Sequence, residues 1–241
     1  MKIAVGISGI YRPRVGSVEK NIEQIQKKFN ADMYYHTWDE YEKDIPVEYK
    51  MNTGVSFFTS PEPIVKYHPI YDPAPTDNRK HTWYIKTRDP RTKFKHSNKQ
   101  IIGYCNLYDN IPKNYDLYIR TRWDVMINTK FDFYQWFDNA INSGPVGFMI
   151  RESGPNYFDF HKNEGRMVAK DESNENHNDW YQMLSDSLII HSSEHLDTKR
   201  VYQLHEEKQL IGAEWGWWQV MSKPYGGLGH TSVYGGARLL R

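Results

Sequence analysis

At 241 residues the chain is long enough for one large domain, or a domain with a sizeable insertion, and is short for two independent ones. Lys plus Arg (31) nearly balances Asp plus Glu (30); the net charge of +1 excludes a global field that gathers nucleic acid or anionic lipid, so any phosphate recognition is local. Cys105 is the only cysteine, which excludes an intrachain disulfide and a thiolate zinc site and points to a reducing, cytoplasmic setting.

Residues 2–8 form a short, nearly continuous apolar run, as expected for a buried parallel strand, and the run is too short for a signal peptide. No stretch approaches the roughly 20 apolar residues that span a membrane, so a soluble protein is expected. A turn follows at Ser8-Gly9. Ser17 stands where an N-cap belongs, and Val18, Ile22, Ile25 and Phe29 then recur at helical spacing, which predicts a helix ending near Asn30. The aromatic-rich segment 32–38 reads as a second strand, and strand, helix and strand in this order predict a right-handed βαβ unit.

From 41 to 97 the periodicity breaks down, and seven of the twelve prolines fall there, so this region reads as an irregular insertion or lid with one short strand at 83–86. Between 79 and 99 lie eight Lys or Arg residues and one acid, Asp89: either a basic loop that closes over phosphates or a solvated face. Helical spacing returns over 98–108. Then 115–127 reads as a strand, 133–141 as a short helix, 146–150 and 184–191 as strands, and 194–208 and 213–221 as closing helices. The glycine-rich end, 222–241, is expected to be a loop segment of the single domain 1–241. The whole predicts an α/β fold with a mixed, mainly parallel central sheet flanked by helices.

The chemistry concentrates in Arg120-Thr-Arg122-Trp-Asp124. Side chains two apart on a strand share a face, so Arg120, Arg122 and Asp124 project together toward the strand's carboxyl end, where ligands of open α/β sheets sit. Two readings stand: guanidinium forks and a carboxylate that hold a diphosphate and its cation, or an internal Arg-Asp ion-pair ladder. Eighteen tyrosines and eight tryptophans supply rings for stacking. Tyr11 and Trp38 are candidates to stack on a base, and Trp217 and Trp218 for an acceptor sugar, each against a bland role as a core anchor.

The run Tyr115-Asp-Leu-Tyr-Ile-Arg120-Thr-Arg122-Trp-Asp124 resembles the YD-x-x-I-R-x-R-x-D segment of bacterial and viral glycosyltransferase-like proteins with a GT-A nucleotide-diphospho-sugar fold. The opening Ile7-Ser8-Gly9-Ile-Tyr11-Arg12, followed by Asp32-Met-Tyr-Tyr-His36-Thr-Trp38, resembles the start of the same group. Ser185-Asp186 and Glu214-Trp215 match its later acidic positions. The similarity skips 41–97. It implies a Rossmann-like GT-A fold and a nucleotide-diphosphate sugar donor held by Ser8, Gly9, Tyr11, Arg12, Trp38, Arg120, Arg122 and Asp124, with a glycan or other hydroxyl as acceptor. It also implies Mn²⁺ or Mg²⁺ on Asp124, with His230 as a late ligand. Arg122 stands where the strict Asp-x-Asp has its first acid, so metal-independent transfer, in which the guanidinium neutralises the leaving diphosphate, is equally in view. Asp186 and Glu214 are the candidate bases for the acceptor hydroxyl. The role implied is surface-polysaccharide synthesis in a bacterium, or glycan modification by a virus. Two other readings stand beside it: a nucleotidyltransferase, for which Ser8-Gly-Ile-Tyr-Arg-Pro-Arg14 is a poor phosphate loop, and a non-catalytic carbohydrate-binding protein of the same fold. A nucleic-acid partner has only the basic run at 79–99 in its favour.

Overall fold

The computed structural model describes residues 1–11, 18–51, 53–64, 90–150, 158–160, 167–169, 187–207, 210, 216–217, 220–221 and 231–239. Among them the elements run β1 (Ile3–Ser8), α1 (Val18–Phe29), β2 (Asp32–Trp38), α2 (Val47–Lys50), β3 (Phe57–Ser60), α3 (Pro90–Asn110), β4 (Leu117–Arg122) and β5 (Val125–Ile127). They continue with α4 (Phe137–Asn142), β6 (Val146–Ile150), β7 (Phe158–Phe160), β8 (Met167–Ala169), β9 (Leu188–His191), α5 (Thr198–Glu206) and β10 (Thr231–Leu239).

Eight strands form one sheet in the order β3-β2-β1-β4-β9-β6-β10-β5, while β7 and β8 pair as a separate antiparallel ribbon. β3, β2, β1 and β4 are mutually parallel. β9 runs antiparallel to both β4 and β6, β10 runs parallel to β6, and β5 runs antiparallel to β10. The result is the mixed, mainly parallel sheet that the alternation of strands and helices predicted.

Two cores cover the two faces. The pleat sends Ile3, Val5 and Ile7 of β1 toward Val18, Ile22, Ile25 and Phe29 of α1. On the opposite face Ala4, Tyr34, Trp38 and Tyr118 pack against Ile101, Tyr104, Leu107 and Tyr108 of α3. Each such apolar side chain contributes about 1.5–3 kcal/mol when fully buried. The α3 face is rich in rings: Tyr118 stacks on His191 at 5.6 Å, and Tyr104 meets the same imidazole edge-on at 5.8 Å. His191 Nδ1 lies 2.8 Å from the Ser192 carbonyl, which only accepts, so Nδ1 carries the proton and Nε2 accepts from the Tyr104 hydroxyl at 2.8 Å. Cys105 lies buried in this layer, and burial pushes its thiol pKa well above the ordinary value.

Four expectations need correction. Inside the proline-rich stretch 41–97, residues 57–60 form β3, a parallel edge strand of the main sheet. Four residues suffice at an edge, and Pro61 and Pro63 follow them without breaking a ladder. The third helix begins at Pro90, where proline tolerates a first turn, rather than at 98. The segment 115–127 is two strands, β4 and β5, separated by a turn at Trp123-Asp124. The C-terminal segment expected as a loop contains β10, nine residues long. Its glycines mark a register shift between Tyr234 and Ala237, with Gly236 at φ +80°. A Cβ on Gly236 would meet Phe133 at 3.0 Å and Phe148 at 3.2 Å, so the glycine serves a bulge and a close approach. The strand expected at 83–86 lies outside the described residues.

Candidate functional site

The sheet changes direction of growth at β1, which pairs with β2 on one side and β4 on the other. At such a switch point the connections diverge and leave a crevice at the carboxyl ends of the strands. Three polar side chains meet there in one row: Ser8, the last residue of β1, is the register partner of both His36 on β2 and Arg122 at the end of β4. By strand alternation all three lie on the α3 face, the face of Tyr34, Trp38 and Tyr118.

Ser8 is 2% exposed, and its Oγ has no hydrogen-bond partner among the described residues. A buried hydroxyl left alone costs about 1–3 kcal/mol, which a ligand or water bonded to it recovers. His36 is fully buried, and desolvation lowers its pKa to about 4, so the imidazole is neutral. Its Nε2 shares a hydrogen bond of 2.8 Å with Ser60 Oγ, and its Nδ1 has no partner among the described residues. Beside Ser8 the backbone turns through Gly9 at φ +117°, and among the described residues no atom lies within 4 Å of where a Cβ would stand. A ligand can therefore approach the main chain there closely.

Arg122 and Asp124 form a fork: Nε donates to Oδ1 at 2.8 Å and Nη2 to Oδ2 at 2.7 Å. Both side chains keep about a fifth of their surface in solvent, at 19% and 21%. Of the two sequence readings, the ion pair is therefore present, and it stands at the mouth of the crevice rather than inside the core. The pairing needs the turn at 123–124: Asp124 folds back toward Arg122 because it has left the strand. Asn21 of α1 holds the far side of this turn, donating to the Val125 carbonyl at 2.6 Å and accepting from the Ile127 N–H at 3.1 Å. Trp123 points to the opposite face, stacked on Tyr35 at 5.5 Å and donating to the His36 carbonyl at 3.2 Å.

The other expected residues divide. Arg120 shares the face of Arg122 but lies one pleat deeper, fully buried, with its guanidinium 4.8 Å from the Trp217 ring and Nη2 donating to Gln100 Oε1 at 3.1 Å. Trp217, expected to stack on an acceptor sugar, is therefore a core residue capping Arg120. Tyr11 and Trp38, expected to stack on a base, are 5% and 2% exposed. Tyr11 sits edge-on to Trp123 at 5.4 Å and donates to Glu19 Oε1 at 2.6 Å, which lowers the Glu19 pKa. Trp38 packs edge-on to His36 at 5.0 Å. Arg12, Asp186, Glu214, Trp218 and His230 lie outside the described residues. His36 was overlooked as a site residue, although its parity with Trp38 on β2 already placed it on the crevice face.

A divalent cation does not fit the donor set that the described residues offer. Both oxygens of Asp124 are engaged by Arg122, and no group of three acidic, histidine or cysteine side chains suited to a metal occurs among them. Among the described residues no helix is long and apolar enough to cross a membrane.

No family model matches the chain, and no curated protein is similar to it. Among solved structures it is similar to the nucleoside-diphosphate-sugar pyrophosphorylase from Vibrio cholerae RC9, with a TM-score of 0.50 at 10% identity over 99% of this chain and 95% of that one. The fold is GT-A-like. Two further similar structures are the inositol-1-phosphate CTP transferase from T. maritima (TM-score 0.47, 11% identity, 98% of this chain and 87% of that one) and mouse xyloside xylosyltransferase 1 (0.40, 10%, 96% and 84%). At such identity the likeness is one of fold alone.

Proposed function

We propose that the chain is a glycosyltransferase that moves a sugar from a nucleotide-diphosphate donor to a hydroxyl of a glycan acceptor. The observation that carries this reading is the row His36, Ser8 and Arg122 at the switch point, with Arg122 held by Asp124 at the crevice mouth. Breaking the anomeric bond puts negative charge on the leaving diphosphate and positive charge on the sugar. A guanidinium fixed in place by a carboxylate is a preorganised cation for that diphosphate. Ser8 Oγ supplies a hydroxyl for a phosphate oxygen, and the turn at Gly9 lets the donor approach the backbone. Asp186 and Glu214 are the proposed bases for the acceptor proton. No step is routed through a metal ion.

Calorimetric titration with UDP, GDP and CDP, with and without Mn²⁺, tests the reading. Selective heat from one diphosphate is expected, and Arg122→Ala should weaken it by about tenfold to a hundredfold, the worth of a charge-assisted contact. Silence with every diphosphate, with and without Mn²⁺, sinks the proposal. Slow hydrolysis of the matching donor sugar then separates an enzyme from a binding protein. The fold shared with the Vibrio pyrophosphorylase favours one second reading, a nucleotidyltransferase. Its signature is preference for a triphosphate and release of pyrophosphate on adding a sugar phosphate.

A further inference from the structure

On the α3 face, beside the row just described, a cleft of about 300 Å³ opens at the β3 edge of the sheet. That volume stands at the lower end of sites for small molecules. It is lined by His36 and Ser60 of the sheet, by Asn106, Asp109 and Asn110 of α3, and by Tyr202 of α5. One hydrogen-bonded chain ties these side chains together. His36 Nε2 meets Ser60 Oγ at 2.8 Å, and Asn106 Nδ2 donates to the same Oγ at 2.8 Å. The Tyr202 hydroxyl reaches Asn106 Oδ1 at 2.9 Å and Asp109 Oδ2 at 3.0 Å, and Thr198 Oγ1 donates to Asp109 Oδ1 at 2.6 Å.

A helix packed on a sheet edge is ordinarily sealed by apolar side chains, yet here four elements commit a polar network to the gap. The network holds each side chain in a single orientation, which lowers the ordering cost of binding. Its chemistry selects the ligand. Among the described residues no lysine or arginine lines the cleft, so none of them neutralises a phosphate there, and Asp109 is the one carboxylate. What remains is amides, hydroxyls and the rings of Phe58 and Tyr202, the combination that suits a neutral ring bearing hydroxyls on its edge and C–H groups on its faces.

We propose that this cleft is a carbohydrate subsite, occupied by a sugar ring of the acceptor glycan. The word acceptor depends on the transferase reading; the affinity for sugar does not. His36 stands both in the cleft wall and in the row beside Ser8, so the two sites share a wall. The assignment also relocates the acceptor contact expected at Trp217, which is buried.

The test is a nuclear magnetic resonance titration of the whole chain with methyl glycosides of glucose, galactose, mannose and N-acetylglucosamine, following the side-chain amides of Asn106 and Asn110. At least one glycoside is expected to shift both. Tyr202→Phe and Asn110→Ala are each expected to weaken its binding by about tenfold, the worth of one neutral hydrogen bond. The same samples are titrated with UDP, inorganic phosphate and Mg²⁺. No glycoside shift at millimolar concentration overturns the subsite, as does a response confined to phosphate or to Mg²⁺ at Asp109. Glycoside shifts in a chain silent to every nucleotide keep the carbohydrate subsite and remove the transferase reading instead.

Discussion

Gly6 stands in the middle of β1, directly under α3, and its lack of a side chain sets how closely the helix lies on the sheet. A Cβ there would meet Tyr104 Cε2 at 2.9 Å and Leu107 Cδ2 at 3.1 Å. Tyr104 has little room to yield, because its hydroxyl is anchored on His191 and its ring packs edge-on to Trp217 at 5.9 Å. Gly6→Ala is therefore expected to cost about 1–3 kcal/mol, the range for overpacking a filled core, and to lower the thermal midpoint. At this scale the sequence was partly readable. Alternation placed Arg120 and Arg122 on one face, but it put Asp124 on the same strand, when the carboxylate reaches Arg122 only because the strand has ended.

Asn21 shows how a single polar residue on an amphipathic helix organises an element far away in sequence. It is 2% exposed and lies one turn after Val18, on the face that otherwise carries Ile22 and Ile25. Its amide completes hydrogen bonds to both ends of β5 that a purely apolar helix face would leave unmade. Asn21→Ala is expected to cost about 2–4 kcal/mol by unpairing two buried backbone groups, and Asn21→Asp, which sets a buried carboxylate against the Val125 carbonyl, should cost at least as much. Urea denaturation of the two variants checks this. Elements with strong periodicity, β1, α1 and β2, were legible from sequence to within a residue or two. β3 and β10 were not, because an edge strand tolerates flanking prolines and a bulged strand needs glycine. Those residues signal turns when neighbours in space are unknown.

Among the described residues, buried histidines of the α3 layer couple stability to pH. Burial lowers the pKa of His36 to about 4 and of His191 to about 3, both below the ordinary histidine value. Protonation thus favours the unfolded chain. The stabilisation is fully present above about pH 6.5 and is lost as the pH falls toward the folded-state values, by roughly 2 kcal/mol for each histidine by pH 5. Urea midpoints are expected to be level between pH 7 and 8 and to drop by pH 5, with a smaller drop in His191→Asn. A slope unchanged by that substitution would place the titration elsewhere. None of this was visible in the sequence, where ten histidines look alike until the fold buries some of them.

Cys105 gives the chain an experimental convenience. The protein's single thiol is sealed between α3 and the sheet and kept protonated by burial, so in the native state it is poorly reactive toward maleimides and iodoacetamides. Any cysteine introduced on the surface becomes the one reactive position. A spectroscopic label at Thr59, on the rim of the carbohydrate cleft, can then be attached to the otherwise natural chain with no background to remove.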